Sequence, residues 1–182
     1  RARGVRVFVP HLLAALRVIW DAFLYRVRRR EANNLLTTVA LAVALHLHWW
    51  DVGVRAAFSL VLNVFIYLMN DYFDIELDLA SPQKDQRKAR FMAEHRGAAQ
   101  GALVGLGAVL LGAALPHSWL LVAALASNTV IVWVYSAWLK RLPLVDVVTM
   151  ALWGVSMALV GLPAAQPLAP LGGKLVGLLG LL

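Results

Sequence analysis

Apolar residues run along this chain in blocks of roughly transmembrane length, about 17–25 residues each, separated by short polar stretches. Five blocks predict full helical spans: Asn33–Trp49, Val54–Phe73, Ala98–Pro116, Trp119–Trp138 and Leu144–Leu162. A sixth starts near Leu168 and ends with the sequence at Leu182, too soon to cross a bilayer unless it continues. With Arg rather than Met at position 1, the chain reads as the amino-terminal part of a longer protein. The segment Val5–Arg30 has a different pattern. Leu13, Leu16, Ile19, Trp20, Phe23 and Val27 alternate with Arg17, Asp21 and Arg28, the spacing of a basic amphipathic helix lying in the membrane interface. Trp49, Trp50, Trp119, Trp133 and Trp138 fall at or near span ends, where aromatic anchors are expected. The pattern predicts an all-α, polytopic transmembrane bundle forming one domain over 1–182, with an interfacial helix over 1–31 and spans over 32–182.

Composition sharpens this. The 182 residues are 61% hydrophobic and 15% charged, against about 45–50% and about 25% in an ordinary soluble domain. The absence of Cys removes disulfides, thiolate metal sites and a Cys nucleophile. A net charge of +7 would suit nucleic acid, but no soluble basic domain is present to carry it, so none is expected as a partner. The cations instead follow the spans. Eight of the 17 Lys/Arg precede the first span, five lie between the second and third (Lys84, Arg87, Lys88, Arg90, Arg96) and two follow the fourth (Lys140, Arg141). Only Arg55 and Lys174 fall in the opposite connections. The positive-inside rule then makes the amino terminus and the loops after spans two and four cytosolic.

The second span ends in an unusual concentration of acid, "LMNDYFDIELDLASPQKDQRKAR" from Leu68 to Arg90. At 100° per residue, Asn63, Tyr67, Asn70, Asp71, Asp74 and Asp78 share one stripe within about 100° of arc, and Glu76 points away. Carboxylates at membrane depth cost several kcal/mol unless they face a cavity or a partner. Three on one stripe also repel one another unless a cation lies between them. A divalent metal, with Mg²⁺ the best match to oxygen ligands and a phosphate-bearing substrate, would resolve both problems.

These residues carry a resemblance. "NDYFDIELD" (Asn70–Asp78) is similar to the NDxxDxxxD motif of the UbiA superfamily of intramembrane prenyltransferases at every fixed position, and "YSAWLKRLPLVDVV" (Tyr135–Val148) resembles the Tyr-Ser-x-x-Leu-Lys stretch after that family's fourth helix. Ser81, Pro82, Lys84 and Arg87, with Asp146, look most like the polyprenyl-phosphate phosphoribosyltransferase branch. The resemblance implies a polyprenyl phosphate or diphosphate as substrate in the lipid bilayer of a bacterial or archaeal inner membrane. It implies Mg²⁺ on Asp71, Asp74 and Asp78, with Tyr135 and Lys140 as further catalytic groups. Asn63, Tyr67, Asn70, Lys84, Arg87, Arg141 and Asp146 would bind substrate, and the acceptor would be an aromatic ring or a phosphoribosyl group.

Three departures stand beside it. Arg87 is followed by Lys88 where the family usually has Pro, Met157 stands where that branch tends to have Arg, and no second aspartate motif is present, Asp146 being the sole acid after Glu94. They support an alternative: a non-catalytic UbiA-like subunit that binds lipid or pigment, or packs against membrane-protein partners. A cation-coupled transporter fits less well, because relay carboxylates sit near mid-membrane and these sit at a span end beside cations.

Overall fold

The computed structural model describes residues 2–29, 33–84 and 86–162. All regular structure among them is helical: α1 (Ala2–Arg29), α2 (Asn33–Ala44), α3 (Trp49–Phe73), α4 (Ile75–Ala80), α5 (Gln86–Glu94), α6 (Arg96–Ala114), α7 (Trp119–Ala137), a 3₁₀ turn (Leu139–Arg141) and α8 (Pro143–Leu159). The sixth span predicted from Leu168 lies outside the described residues, as do most of the amino-terminal arginine side chains.

Among the described residues three helices, α3, α6 and α7, are long and apolar enough to cross a membrane. With 12 and 17 residues, α2 and α8 rise only about 18 and 26 Å, less than a bilayer core of about 30 Å. The predicted first span is therefore shorter than expected, and the cause is local. His46 adopts φ 57°, and the amides of His46 and Leu47 bond back to the carbonyls of Val43 (2.9 Å) and Ala42 (3.1 Å), a Schellman ending. Left-handed backbone at a histidine carries no sequence signal of the kind glycine gives. His48 then starts α3 five residues earlier than the apolar pattern suggests, its ring accepting the Trp50 amide at 3.2 Å, with Asp51 in the positively polarised first turn. Ser118 caps α7 by accepting from the Leu120 amide at 3.1 Å, and Pro143 opens α8, where a missing N–H costs nothing.

The earlier start of α3 moves Arg55 out of the predicted outer connection and into the protein. It is buried, and its guanidinium donates to the Val160 carbonyl at 3.4 Å. Polar groups inside the bundle are joined in the same way. Thr38 Oγ1 donates to the Met157 carbonyl (3.2 Å) and accepts from Ser59 Oγ (3.1 Å). Asn128 joins α7 to α8, donating to the Ala124 (2.8 Å) and Ser156 (2.9 Å) carbonyls and accepting from Ser156 Oγ (2.8 Å). Such bonds tie helices together where lipid offers no partner.

α3 is the central element. Leu62, Phe65, Ile66 and Met69 form a core with Leu110, Leu121, Leu125 and Met157 from α6, α7 and α8. Val64 and Leu68 face Val18 and Ala22 of α1, Met92 of α5, and Ala99 and Ala102 of α6. α1 thus presents two apolar faces: Ala14, Val18 and Ala22 are buried, whereas Leu12, Leu13, Leu16 and Trp20 on the other side are exposed. The anchors Trp49, Trp50, Trp119, Trp133 and Trp138 are exposed as well. Every functional candidate on α3 therefore rests on the most enclosed helix of the bundle.

Candidate functional site

α3 ends at Asp74, where φ −95° and ψ 1° interrupt the helix before α4 begins. α4 is short, and the chain turns back at Ser81–Lys84 into α5. The Gln86 amide nitrogen donates to the carbonyls of Asp78 (2.8 Å) and Ser81 (2.6 Å), closing the turn, while buried Ala89 and Met92 dock α5 on the core. Lys88 lies on α5 beyond the turn, yet this fold returns its ammonium to the end of α3.

The outcome differs from a stripe of acids around one ion. Among the described residues no three His, Cys, Asp or Glu side chains are grouped closely enough to hold a metal. Each carboxylate has its own lysine instead: Asp71 pairs with Lys88, Asp74 with Lys140, and Asp78 with Lys84 at 3.5 Å. The first two pairs are shielded, with side chains 12–17% exposed, whereas Lys84 is 59% exposed. The stripe assumed one straight helix, but the interruption at Asp74 gives Asp78 to a different one. The donor set still fits Mg²⁺ in a smaller form, since that ion uses one or two carboxylates and takes its other ligands from phosphate and water. Asp71 and Asp74, one turn apart on a single helix end, offer those two.

Beside them lies a cavity of about 140 Å³ between α3, α7 and α8. Ile66, Tyr67 and Asn70 line it from α3, Ile131, Val132, Tyr135 and Ser136 from α7, and Thr149 and Trp153 from α8. Its rim residue Asn70 immediately precedes Asp71. An enclosed volume of about 150 Å³ accommodates one six-membered ring, so one ring or one isoprene unit fits. Ser136 Oγ and Trp153 Nε1 are buried without a hydrogen-bond partner among the described residues, a costly state that a ligand or water oxygen would relieve.

The structure thus brings Tyr67, Asn70 and Tyr135 to one cavity, and Asp71, Asp74 and Lys140 to its neighbouring helix end. Asn63 is buried on α3 but is not among the cavity's lining residues. Arg87 is exposed on α5. Arg141 takes another direction from Lys140, as consecutive residues of a 3₁₀ turn must, and lines a separate groove of about 390 Å³ with Tyr72, Phe73, Glu76, Leu77 and Arg96. Arg96 there pairs with Glu76 at 2.9 Å. Asp146 lies in the first turn of α8, but its side chain is outside the described residues. Sequence reasoning missed Lys88, Ser136, Thr149 and Trp153. Ser136 was in view inside "YSAWLK", and Thr149 and Trp153 stand one helical turn apart on α8. Lys88 gave no signal beyond its charge, because the return of α5 decides where it goes.

The lycopene elongase/hydratase of Haloferax volcanii is 35% identical over 72 residues, 38% of this chain and 24% of that protein. No solved structure matches the chain. The pattern of the UbiA prenyltransferase family matches residues 34–182, from the start of α2 through every later helix. A match of that extent takes in the cavity and both sides of the acidic helix end together, and the chain belongs to the UbiA prenyltransferase family.

Proposed function

We propose that the protein containing this chain transfers a prenyl group from a polyprenyl diphosphate to an acceptor within the membrane, in a Mg²⁺-dependent reaction. The observation that supports this reading is that Asp71 and Asp74, the latter paired with Lys140, directly follow Asn70 on α3, which lines one cavity with Tyr67 and Tyr135. Bound with the substrate, Mg²⁺ would neutralise charge on the leaving diphosphate. Asp71 and Asp74 would hold it. Lys140 and Lys88 would each exchange a carboxylate for a phosphate oxygen, and Tyr135 would donate to the same group. Positioning and electrostatic stabilisation of the departing diphosphate carry the rate. The allylic C–O bond breaks with its electron pair leaving on the diphosphate, and the apolar walls formed by Ile66, Ile131 and Val132 keep bulk water from the allylic cation until the acceptor attacks.

The family match favours no branch; in the phosphoribosyl chemistry suggested by Ser81, Pro82, Lys84, Arg87 and Asp146 the roles would shift, a polyprenyl phosphate oxygen attacking the sugar carbon while diphosphate leaves from the sugar, and the same carboxylates would serve. The relative's name adds a further acceptor class, an isoprenoid hydrocarbon such as lycopene. The active face is cytosolic on this reading, because the cations between α3 and α6 and those after α7 meet at the end that bears Asp71 and Asp74.

Membranes containing the full protein, given radiolabelled polyprenyl diphosphate with an aromatic or carotenoid acceptor, or radiolabelled polyprenyl phosphate with phosphoribosyl diphosphate, should yield a labelled lipid product with one combination. Asp71→Asn and Asp74→Asn should each lower the yield at least 100-fold. Unchanged product from either variant refutes the proposal. A non-catalytic subunit is favoured by one observation, the lysine already matched to every carboxylate of the motif. It predicts no labelled product with any acceptor, and co-purification with other membrane subunits.

A further inference from the structure

Hydroxyls on the long helices satisfy themselves locally, and one of them does not. Thr129 Oγ1 donates back to the Leu125 carbonyl at 2.9 Å, and Ser156 Oγ to the Trp153 carbonyl at 2.9 Å, the ordinary resort of a helical hydroxyl. Ser136 is only 2% exposed, yet its Oγ has no hydrogen-bond partner among the described residues. Trp153 Nε1 is buried in the same state, although an enclosed indole N–H usually finds an acceptor. Both residues line the cavity between α3, α7 and α8. They come from α7 and α8, the two helices that the bonds between Asn128 and Ser156 join. Two unmatched polar groups are thus offered to one space by backbones already fixed.

We infer that Ser136 and Trp153 form an oxygen-recognition subsite, which takes a hydroxyl or carbonyl oxygen carried on a ring and rejects a hydrocarbon of the same shape. The inference rests on the transferase reading and narrows its acceptor to an oxygen-bearing ring rather than an isoprenoid hydrocarbon. Trp153 Nε1 can only donate, whereas Ser136 Oγ donates or accepts. A carbonyl oxygen has two lone pairs, enough for both donors. A hydroxyl oxygen can accept from Trp153 and donate to Ser136. Water entering the empty cavity would satisfy the two groups as well, and an incoming ligand must replace those bonds. An oxygen replaces them; a hydrocarbon strands both groups out of reach of water. A site built in this way rejects the analogue that lacks the oxygen, which a purely apolar pocket does not do for one that adds it. The volume of about 140 Å³ leaves room for one six-membered ring, so the oxygen belongs on or beside that ring. Ile66, Ile131 and Val132 supply apolar lining for its carbon atoms. Ser136 and Trp153 are therefore specificity-determining residues, separate from the acids and lysines that meet the diphosphate.

The test compares 4-fluorophenol with fluorobenzene, one ring with and without the oxygen, by fluorine NMR on the purified full protein in nanodiscs. Empty nanodiscs give the lipid-phase concentration to which both affinities refer. The unaltered protein should bind 4-fluorophenol about tenfold or more tightly than fluorobenzene. Ser136→Ala and Trp153→Phe should each cut that preference about threefold or more, and the double variant should lose it while fluorobenzene binding tightens. Opposite shifts are the signature, since damage to the fold would weaken both ligands. In a ¹⁵N-labelled sample, the indole resonance that Trp153→Phe removes should move downfield with 4-fluorophenol and stay in place with fluorobenzene. Should Trp153→Phe fail to fold, Ser136→Ala and the downfield shift of an indole resonance decide the matter. Equal affinities in the unaltered protein, as a retained water would give, overturn the inference. So do a preference that survives the double variant, a fall in both affinities, and the absence of saturable binding. The two readings fail separately: oxygen selection without labelled product sinks the transferase alone, and labelled product without oxygen selection sinks the subsite alone.

Discussion

Gly161 sits so close to α2 that a methyl group there would lie 2.7 Å from the Thr38 carbonyl oxygen, 3.2 Å from that of Ala158 and 3.3 Å from Leu41 Cβ. The nearest obstacle is backbone, which cannot swing aside. Gly161→Ala should therefore destabilise the chain by about 1–3 kcal/mol through overpacking, read as a lower thermal midpoint in detergent, with Gly154→Ala as control because open space surrounds that site. The candidate site shows the same sensitivity to single positions. Its acids were legible in the sequence, since an Asn and three Asp on a greasy segment demand partners. The identity of those partners was not, because a lysine's reach depends on where the next helix is folded. Tyr135 and Lys140 could be read from their motif, whereas Lys88 and Trp153 could not.

Between elements, the junction of α7 with α8 rests on a reciprocal polar clasp. Asn128 donates to the Ser156 carbonyl while Ser156 Oγ donates to the Asn128 side-chain oxygen, and both residues are buried. In a membrane interior such a pair couples by about 0.6 kcal/mol on average and about 1.7 at most. A double-mutant cycle of Asn128→Ala and Ser156→Ala, measured by reversible unfolding in mixed micelles, should give a coupling energy in that range. A value near zero would mean that packing alone joins the two helices. The clasp joins the two helices that supply Thr149, Trp153, Tyr135 and Ser136 to the cavity lining, so loosening it should open the cavity. The helix lengths show the limits of periodicity. The long apolar helices α3, α6 and α7 declare themselves, yet the end of α2 depends on one left-handed histidine and α5 on a short polar segment whose apolar contacts are tertiary.

For the whole molecule, the two sets of basic loop residues meet at one end. Lys140 after α7 reaches Asp74, and Arg96 at the start of α6 reaches Glu76, so the connections after α3 and α7 lie on the same side irrespective of any rule about charge. The proposed cytosolic orientation can be checked directly because the chain has no cysteine. Single cysteines at Gln83 and His117, both exposed, lie at opposite ends of the membrane-spanning helices. A membrane-impermeant maleimide applied to intact cells should label His117→Cys and leave Gln83→Cys unlabelled until the cells are opened. The reverse pattern would invert the orientation and place the acidic helix end outside the cell.

By itself the sequence determined that this chain is helical, that it belongs in a membrane, and that acids and cations share one end of it. These follow from composition, block length and the cost of charge in hydrocarbon, none of which needs a contact map. Only the tertiary structure decided which carboxylate meets which lysine and where a cavity forms beside them. Those depend on helix ends, on the return of α5 and on packing across α3, α7 and α8, and such distances are set by residues far apart in the chain.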